Sequence, residues 1–316
     1  MPLVPAGLSM LPDLLKRTDG LPPLTTAVVH PCDSPSLTAA MAARDRGLIE
    51  PVLIGPEARL RSVADEAGLS LAGLRIESTP HSHASAACGV ELVRRAEAEA
   101  LMKGSLHTDE LMRAVVARDS GLRTARRVSH VFVMIVPSYE RLLLVTDAAV
   151  NIEPCLEEKV DIVQNAIDLA HALGIPSPRV ALLSAVETVT SKLRSTIDAA
   201  ALCKMADRGQ ITGGLLDGPL AFDNAVSREA ARTKGIVSEV AGRADILVTP
   251  DLESGNILAK QLEYFASALA GGIVLGARVP IMLSSRADSL ESRVLSCGVA
   301  VLFHAHQAAA TAVVQR

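Results

Sequence analysis

One stretch toward the C-terminus has the residue types to hold an anion. Ser284, Ser285, Arg286, Asp288 and Ser289 lie between an apolar run and an expected helix. An arginine beside hydroxyls, just ahead of a helix N-terminus, offers forked donors and a favourable dipole. Ser289 is placed to cap that helix, with Glu291 and Ser292 in its first turn. The same pattern also suits a capped helix with a solvated arginine. A second polar stretch, Met102-Lys103-Gly104-Ser105-Leu106-His107-Thr108-Asp109-Glu110, runs into a helix that carries Arg113. Two more are Asp217-Gly-Pro-Leu-Ala-Phe-Asp223 and Thr249-Pro-Asp-Leu-Glu-Ser-Gly-Asn256. All four are expected at the carboxyl ends of strands, where open α/β sheets bind ligands.

Several familiar chemistries find no motif. Lys103-Gly104-Ser105 lacks the full GxxxxGK[ST] phosphate loop, and neither GxGxxG nor GxSxG occurs. Gly213-Gly214 and Gly271-Gly272 read as turns. His304 and His306, two apart in an expected strand, share a face, but two ligands do not make a zinc site. His81 and His83 fall in a loop rich in serine and histidine that is expected to be exposed. The five cysteines are odd in number and widely spaced, so neither a disulfide framework nor a thiolate metal site is indicated. Each reads as a small buried hydrophobe in a reducing cytoplasm, and residues 1–20 do not read as a signal peptide.

These residues need a scaffold, and an alternating pattern supplies one. Residues 27–29, 51–55, 131–136, 142–146, 180–183, 246–249, 273–275, 280–283 and 299–303 read as strands, separated by helical segments. Ser34 or Ser36 is expected to cap a helix running to about Arg46. Residues 137–141 are short enough for a hairpin, so the sheet is expected to be mixed. A helix over 157–173 has Leu156, Val160, Val163, Ile167 and Ala170 on one stripe, and Gly174 and Pro176 end it.

Composition narrows the partners. The 316 residues are 49% hydrophobic and 21% charged, with a net charge of −4, two Tyr, four Phe and no Trp. Such a chain is too apolar to be disordered, and it lacks the basic excess and stacking rings that nucleic-acid binding uses. The apolar runs are of strand length, whereas spanning a membrane takes about 20 residues. At this length roughly three-quarters of the unfolded surface is buried, which suits two domains or one that has split around a cleft.

Taken together, the segments resemble the phosphate acetyltransferase and phosphate butyryltransferase family, from about Thr26 to the C-terminus. The most specific stretches are 217–223, 250–256 and Ser285-Arg286, whereas 102–107 and Val29-His-Pro-Cys-Asp33 lean toward the butyryltransferases. The resemblance implies reversible transfer of a short acyl group, acetyl or butyryl, from coenzyme A to inorganic phosphate. It implies two α/β domains around a cleft in an isocitrate/isopropylmalate dehydrogenase-like fold. Residues 1–127 and 272–316 would form the first domain and 128–271 the second. It also implies a homodimer with no active-site metal and no tightly bound cofactor, acyl-coenzyme A being substrate. By family match Ser285 stabilises the transition state and Arg286 holds phosphate or the thioester carbonyl. Arg113 matches another phosphate-binding arginine, and Lys103, Ser105 and Thr108 line the same pocket. One departure stands out: the acetyltransferases have an aspartate seven residues after the serine, where this chain has Ser292. Glu291 is a candidate base, although adjacent helix positions point about 100° apart. A coenzyme A-binding module without turnover is one alternative. A metal-dependent decarboxylating dehydrogenase is another, though residues 249–258 offer magnesium only Asp251 and Glu253.

Overall fold

The computed structural model describes residues 7–118 and 122–314. The chain divides into two compact units. An outer unit holds Asp13–Arg126 and Gly271–Arg316, and a middle unit holds Arg127–Ala270 with Met1–Pro12.

The first segment runs α1 (Gly7–Lys16), β1 (Leu24–Val29), α2 (Ser34–Asp45), β2 (Ile49–Gly55), α3 (Glu57–Glu66), β3 (Ile76–Ser78), α4 (Ser82–Arg94), β4 (Ala100–Lys103) and α5 (Thr108–Val116). The middle segment contributes β5 (Ser129–Ile135), β6 (Leu142–Thr146), α6 (Leu156–Ala172), β7 (Arg179–Leu183), α7 (Arg194–Asp207), β8 (Leu215–Leu220), α8 (Phe222–Val226), α9 (Arg228–Thr233), β9 (Ile246–Val248) and α10 (Leu252–Phe265). The last segment is β10 (Leu269–Leu275), β11 (Ile281–Met282) and α11 (Leu290–Val314).

In the outer unit the strands lie in the order β3-β2-β1-β4-β11-β10. All neighbours there are parallel except β10 with β11. In the middle unit the order is β5-β6-β9-β7-β8, antiparallel only between β5 and β6. This is the mixed α/β arrangement expected, with the hairpin at 137–141 in place. Strands buried on both faces read as continuous apolar runs, and β5 is buried at every position.

Several expectations change. The helix after β1 is capped by Asp33, which accepts from Ser36 N at 2.9 Å, rather than by Ser34 or Ser36. On α6, Leu156 and Val160 are only half-buried, while Lys159 and Ile162 lie deep. Lys159 tolerates that position because its ammonium meets Asp198 at 2.7 Å. Residues 299–303 are not a strand but part of the 25-residue α11. No Gly or Pro other than Gly298 interrupts it, and a helix buried all round has the same apolar run as a strand. His304 and His306 therefore point about 200° apart, and His304 faces Glu99 at 3.5 Å. Gly271-Gly272 lies inside β10, where a Cβ on Gly271 would come within 2.8 Å of Leu295. His81 caps α4 and His83 is in its first turn, both exposed. Of the five free cysteines only Cys297 is fully buried.

Candidate active site

Three strands of the outer unit end side by side. Val29 of β1 is in register with Lys103 of β4, and Met102 with Met282 of β11. Because the three run parallel, their carboxyl-end loops emerge together, and each leads into a helix N-terminus: α2, α5 and α11. That arrangement collects unpaired N–H groups and positive dipole ends in one place.

The first two loops interlock through their backbones. A Cβ on Gly104 would sit 2.5 Å from the His30 carbonyl carbon and oxygen and from the Val29 oxygen. Glycine is therefore required where these loops cross. The Ser105 amide and hydroxyl both donate to the His30 carbonyl at 2.9 Å, and Cys32 N donates to the same hydroxyl at 3.3 Å. His30 itself holds φ 56°, with Nδ1 3.0 Å from Ser85 Oγ. Burial pushes its imidazole below the usual histidine range, Glu110 and Asp33 pulling the other way. Burial also drives the Cys32 thiol up to about 11.

The third loop is organised by a residue that the sequence reading passed over. Arg293, in the first turn of α11, is 3% exposed. Its guanidinium donates to Ser285 O at 2.8 Å, Ser284 Oγ at 3.0 Å and Asp288 O at 3.4 Å. Asp288 Oδ2 accepts from Ser285 N at 2.6 Å, closing the turn from inside. Ser289 caps the helix as expected, accepting from Ser292 N at 3.1 Å. Ser285 and Arg286 are left exposed on this turn, and Arg286 reaches toward the Ser105 carbonyl at 3.5 Å. A signal for Arg293 was available: a cation in the first turn of a helix opposes the macrodipole, so something specific must hold it there.

Lys103 lies under this cluster, 4% exposed, donating to the Gly104 carbonyl at 3.3 Å. Its pKa is lowered, first by burial and then by repulsion from Arg293 and Arg286, against the pull of Asp33 and Asp288. Lys103, Ser105, Ser285 and Arg286 are thus gathered. Thr108 opens α5 at the rim, and Glu291 is exposed in the first turn of α11. Arg113 stands apart, in the last turn of α5, with its side chain 74% exposed and 3.8 Å from Asp109. It is not among the charges that act on Lys103.

The other two polar stretches serve packing in the middle unit. Asp217 to Leu220 lie within β8 rather than beyond it. A Cβ on Gly218 would come within 2.7 Å of the Leu182 Cβ and carbonyl. In the 249–256 stretch, Thr249 Oγ1 donates to Asp147 O at 3.0 Å, and Asn256 Nδ2 to Ala148 O at 3.2 Å. Asp251 accepts from Ser254 N at 2.8 Å as the cap of α10, which commits one of the two carboxylates the magnesium reading needed. Among the described residues no three or more His, Cys, Asp and Glu gather as metal ligands.

The loops at β1, β4 and β11 gather cationic and hydroxyl side chains at one edge of an α/β sheet. The family described as phosphate acetyl/butaryl transferase matches residues 81–301. A phosphate acetyltransferase of Rhizobium meliloti is 60% identical over 306 residues, covering 97% of each chain. A phosphate butyryltransferase of Clostridium acetobutylicum is 43% identical over 276 residues, covering 87% of this chain and 92% of that one. Among solved structures, a branched-chain phosphotransacylase from Enterococcus faecalis V583 superposes with a TM-score of 0.77 at 29% identity, over 89% of this chain and 99% of that one. The chain belongs to the phosphate acetyltransferase and phosphate butyryltransferase family, and its class is acyltransferase.

Proposed function

We propose that this chain moves a short acyl group reversibly between coenzyme A and inorganic phosphate, in a ternary complex built at the β1, β4 and β11 loops. The observation that carries this reading is the buried pair Lys103 and Arg293. Neither forms an ion pair with a carboxylate among the described residues. Burying cations is costly unless an opposite charge compensates. A site with this surplus favours an anion, and phosphate dianion meets that need.

In the reaction a phosphate oxygen attacks the thioester carbonyl carbon, the carbonyl oxygen gains negative charge, and the C–S bond then breaks. Ser285 and Arg286, exposed on a turn held rigid by Arg293, are the donors for that oxyanion. Lys103 holds the phosphate from a loop that Ser105 braces by donating to the His30 carbonyl, with Thr108 at the rim and Arg113, exposed on α5, the further phosphate-binding arginine that the resemblance implies. Holding both reactants in one geometry supplies much of the remaining acceleration. No tightly bound cofactor or metal enters this scheme, and acyl-coenzyme A is a substrate.

The domains would be those of an isocitrate/isopropylmalate dehydrogenase-like fold, 1–127 with 272–316 and 128–271, close to the two compact units except that Met1–Pro12 groups with the middle one. A homodimer in the cytoplasm completes the reading. Ile257, Tyr264 and Phe265, seven and eight residues apart on α10 and exposed, offer an apolar face for the second copy. No helix among the described residues is long and apolar enough to cross a membrane. The deciding assay is thiol release from acetyl-, propionyl- and butyryl-coenzyme A with and without phosphate. Phosphate-dependent release with at least one chain length is expected, and none with any of them sinks the assignment.

A further inference from the structure

Acyl exchange at sulfur leaves one proton unassigned. Coenzyme A is a thiol when free and must lose its proton to attack an acyl phosphate. In the opposite direction the departing sulfur must gain one. Most titratable groups in the cluster are engaged elsewhere. Asp33 holds the start of α2, and Asp288 holds the Ser285 amide. Ser292 has no acidic proton to exchange at neutral pH, and its hydroxyl accepts from Ser289 at 3.3 Å. His30 is tied to Ser85, and arginine does not deprotonate in proteins. Cys32 keeps its proton to about 11. Lys103 remains: buried, bonded among the described residues only to a neighbouring carbonyl, and set among cations.

We propose that Lys103 carries the proton that the coenzyme A thiol gains or loses, from a buried position beside the guanidinium groups of Arg286 and Arg293. This rests on the acyl-transfer reading above. In the acyl phosphate-forming direction, a phosphate oxygen bonds to the carbonyl carbon, and the C–S bond breaks with its electron pair on sulfur. The sulfur takes a proton from the Lys103 ammonium. In reverse, neutral Lys103 takes the thiol proton as sulfur bonds to the carbonyl carbon and the C–O bond to phosphate breaks. A group with its pKa brought down toward the working pH serves both directions. The charges that face it are Arg293 of α11, Arg286 and Asp288 of the β11 loop, and Asp33 of the β1 loop. The two arginines and burial favour the amine, and the two aspartates limit the effect.

The test uses the full chain and measures both directions, with acetyl-coenzyme A plus phosphate and with acetyl phosphate plus coenzyme A. Lys103→Arg keeps the charge but cannot release a proton at neutral pH. It is expected to lower kcat of thiol acylation by about 10²-fold, with KM for acetyl phosphate changed less than threefold. In the wild type, kcat/KM for thiol acylation should rise with pH along a limb that lies below the ordinary lysine range. The midpoint should move with temperature as an ammonium does. That limb should be missing in Lys103→Arg. Small primary amines should restore part of the rate to Lys103→Ala. If Lys103→Arg keeps both rates, or loses only phosphate affinity with its pH limb intact, the proposal fails while acyl transfer stands. It also fails if the wild-type midpoint is as insensitive to temperature as a carboxyl group, a measurement needing no variant. Loss of the limb in Glu291→Gln instead would move the role to Glu291. Absence of phosphate-dependent turnover in the wild type would remove the acyl-transfer reading itself.

Discussion

Gly104→Ala adds one methyl group at the crossing of two backbones. The new Cβ would lie 2.5 Å from the carbonyl group of His30 and from the oxygen of Val29. Real Cβ atoms essentially never approach closer than 3.0 Å, so one loop must retreat by at least 0.5 Å, the difference between those distances. The three nearest atoms are all backbone, so rotating a side chain away does not relieve the contact. The retreat pulls on both Ser105 donors to His30 O and shifts Lys103 and the Arg286 contact with them. Overpacking of this kind costs about 1–3 kcal/mol, which is a fall in Tm of several degrees. A displacement approaching 1 Å in a substrate-positioning loop costs on the order of 10²-fold in rate. The expected result is therefore a moderately destabilised protein with a much larger loss of phosphate-dependent thiol release. Calorimetry and the thiol assay on the same preparation read both. Activity within twofold of wild type, at an unchanged Tm, would refute the claim that this backbone crossing sets the site.

Two further outcomes test other parts of the molecule. Arg286→Ala removes an exposed side chain whose one bond among the described residues is the long contact to Ser105 O. Turnover should collapse by 10² or more while the melting curve is unchanged, and wild-type turnover would refute the site. His130, fully buried with Nδ1 unpartnered, has its pKa lowered to about 3 by burial and Lys260. Because the unfolded chain takes up the proton first, stability should fall as pH drops from the unfolded value of 6.5 toward 3. The slope approaches about 1.4 kcal/mol per pH unit, or roughly 2 kcal/mol lost by pH 5. Denaturant titrations of wild type and His130→Leu across pH 5 to 7 measure it, and equal slopes in the two would refute the account.

Much of the architecture was legible because it rests on local patterns. The hairpin around 137–141, the α6 helix ended by Gly174 and the Ser289 cap each depend on residues a few positions apart. Ser285 and Arg286 stand out by residue type and neighbours and Lys103 and Ser105 by the resemblance, and the structure brings the four residues together. The failures came where burial is set by distant partners. The apolar run at 299–303 lies in a helix because α11 is buried at every position from Ser292 to Phe303, which its periodicity does not reveal. Lys159 belongs in the core only because Asp198, 39 residues on, meets it there. Arg293 escaped notice for the same reason, its acceptors being two backbone carbonyls and a serine hydroxyl of a turn whose shape only the fold determines. The 217–223 and 249–256 stretches carried the resemblance strongly, and their glycines sit where backbones pack closely.

The order of the chain also governs when the site comes into being. Lys103 and Ser105 leave the ribosome long before Ser285, Arg286 and Arg293, with the whole middle unit made in between. Until residues 281–282 arrive, β4 lacks its neighbour on that side, and the open edge exposes unpaired N–H and C=O groups. The middle unit contains its own five strands and can fold while the outer sheet waits. On the proposed reading, anion binding would be the last property the nascent chain acquires, and a chain cut short before β11 would have most of its strands but not the Ser285-Arg286 turn.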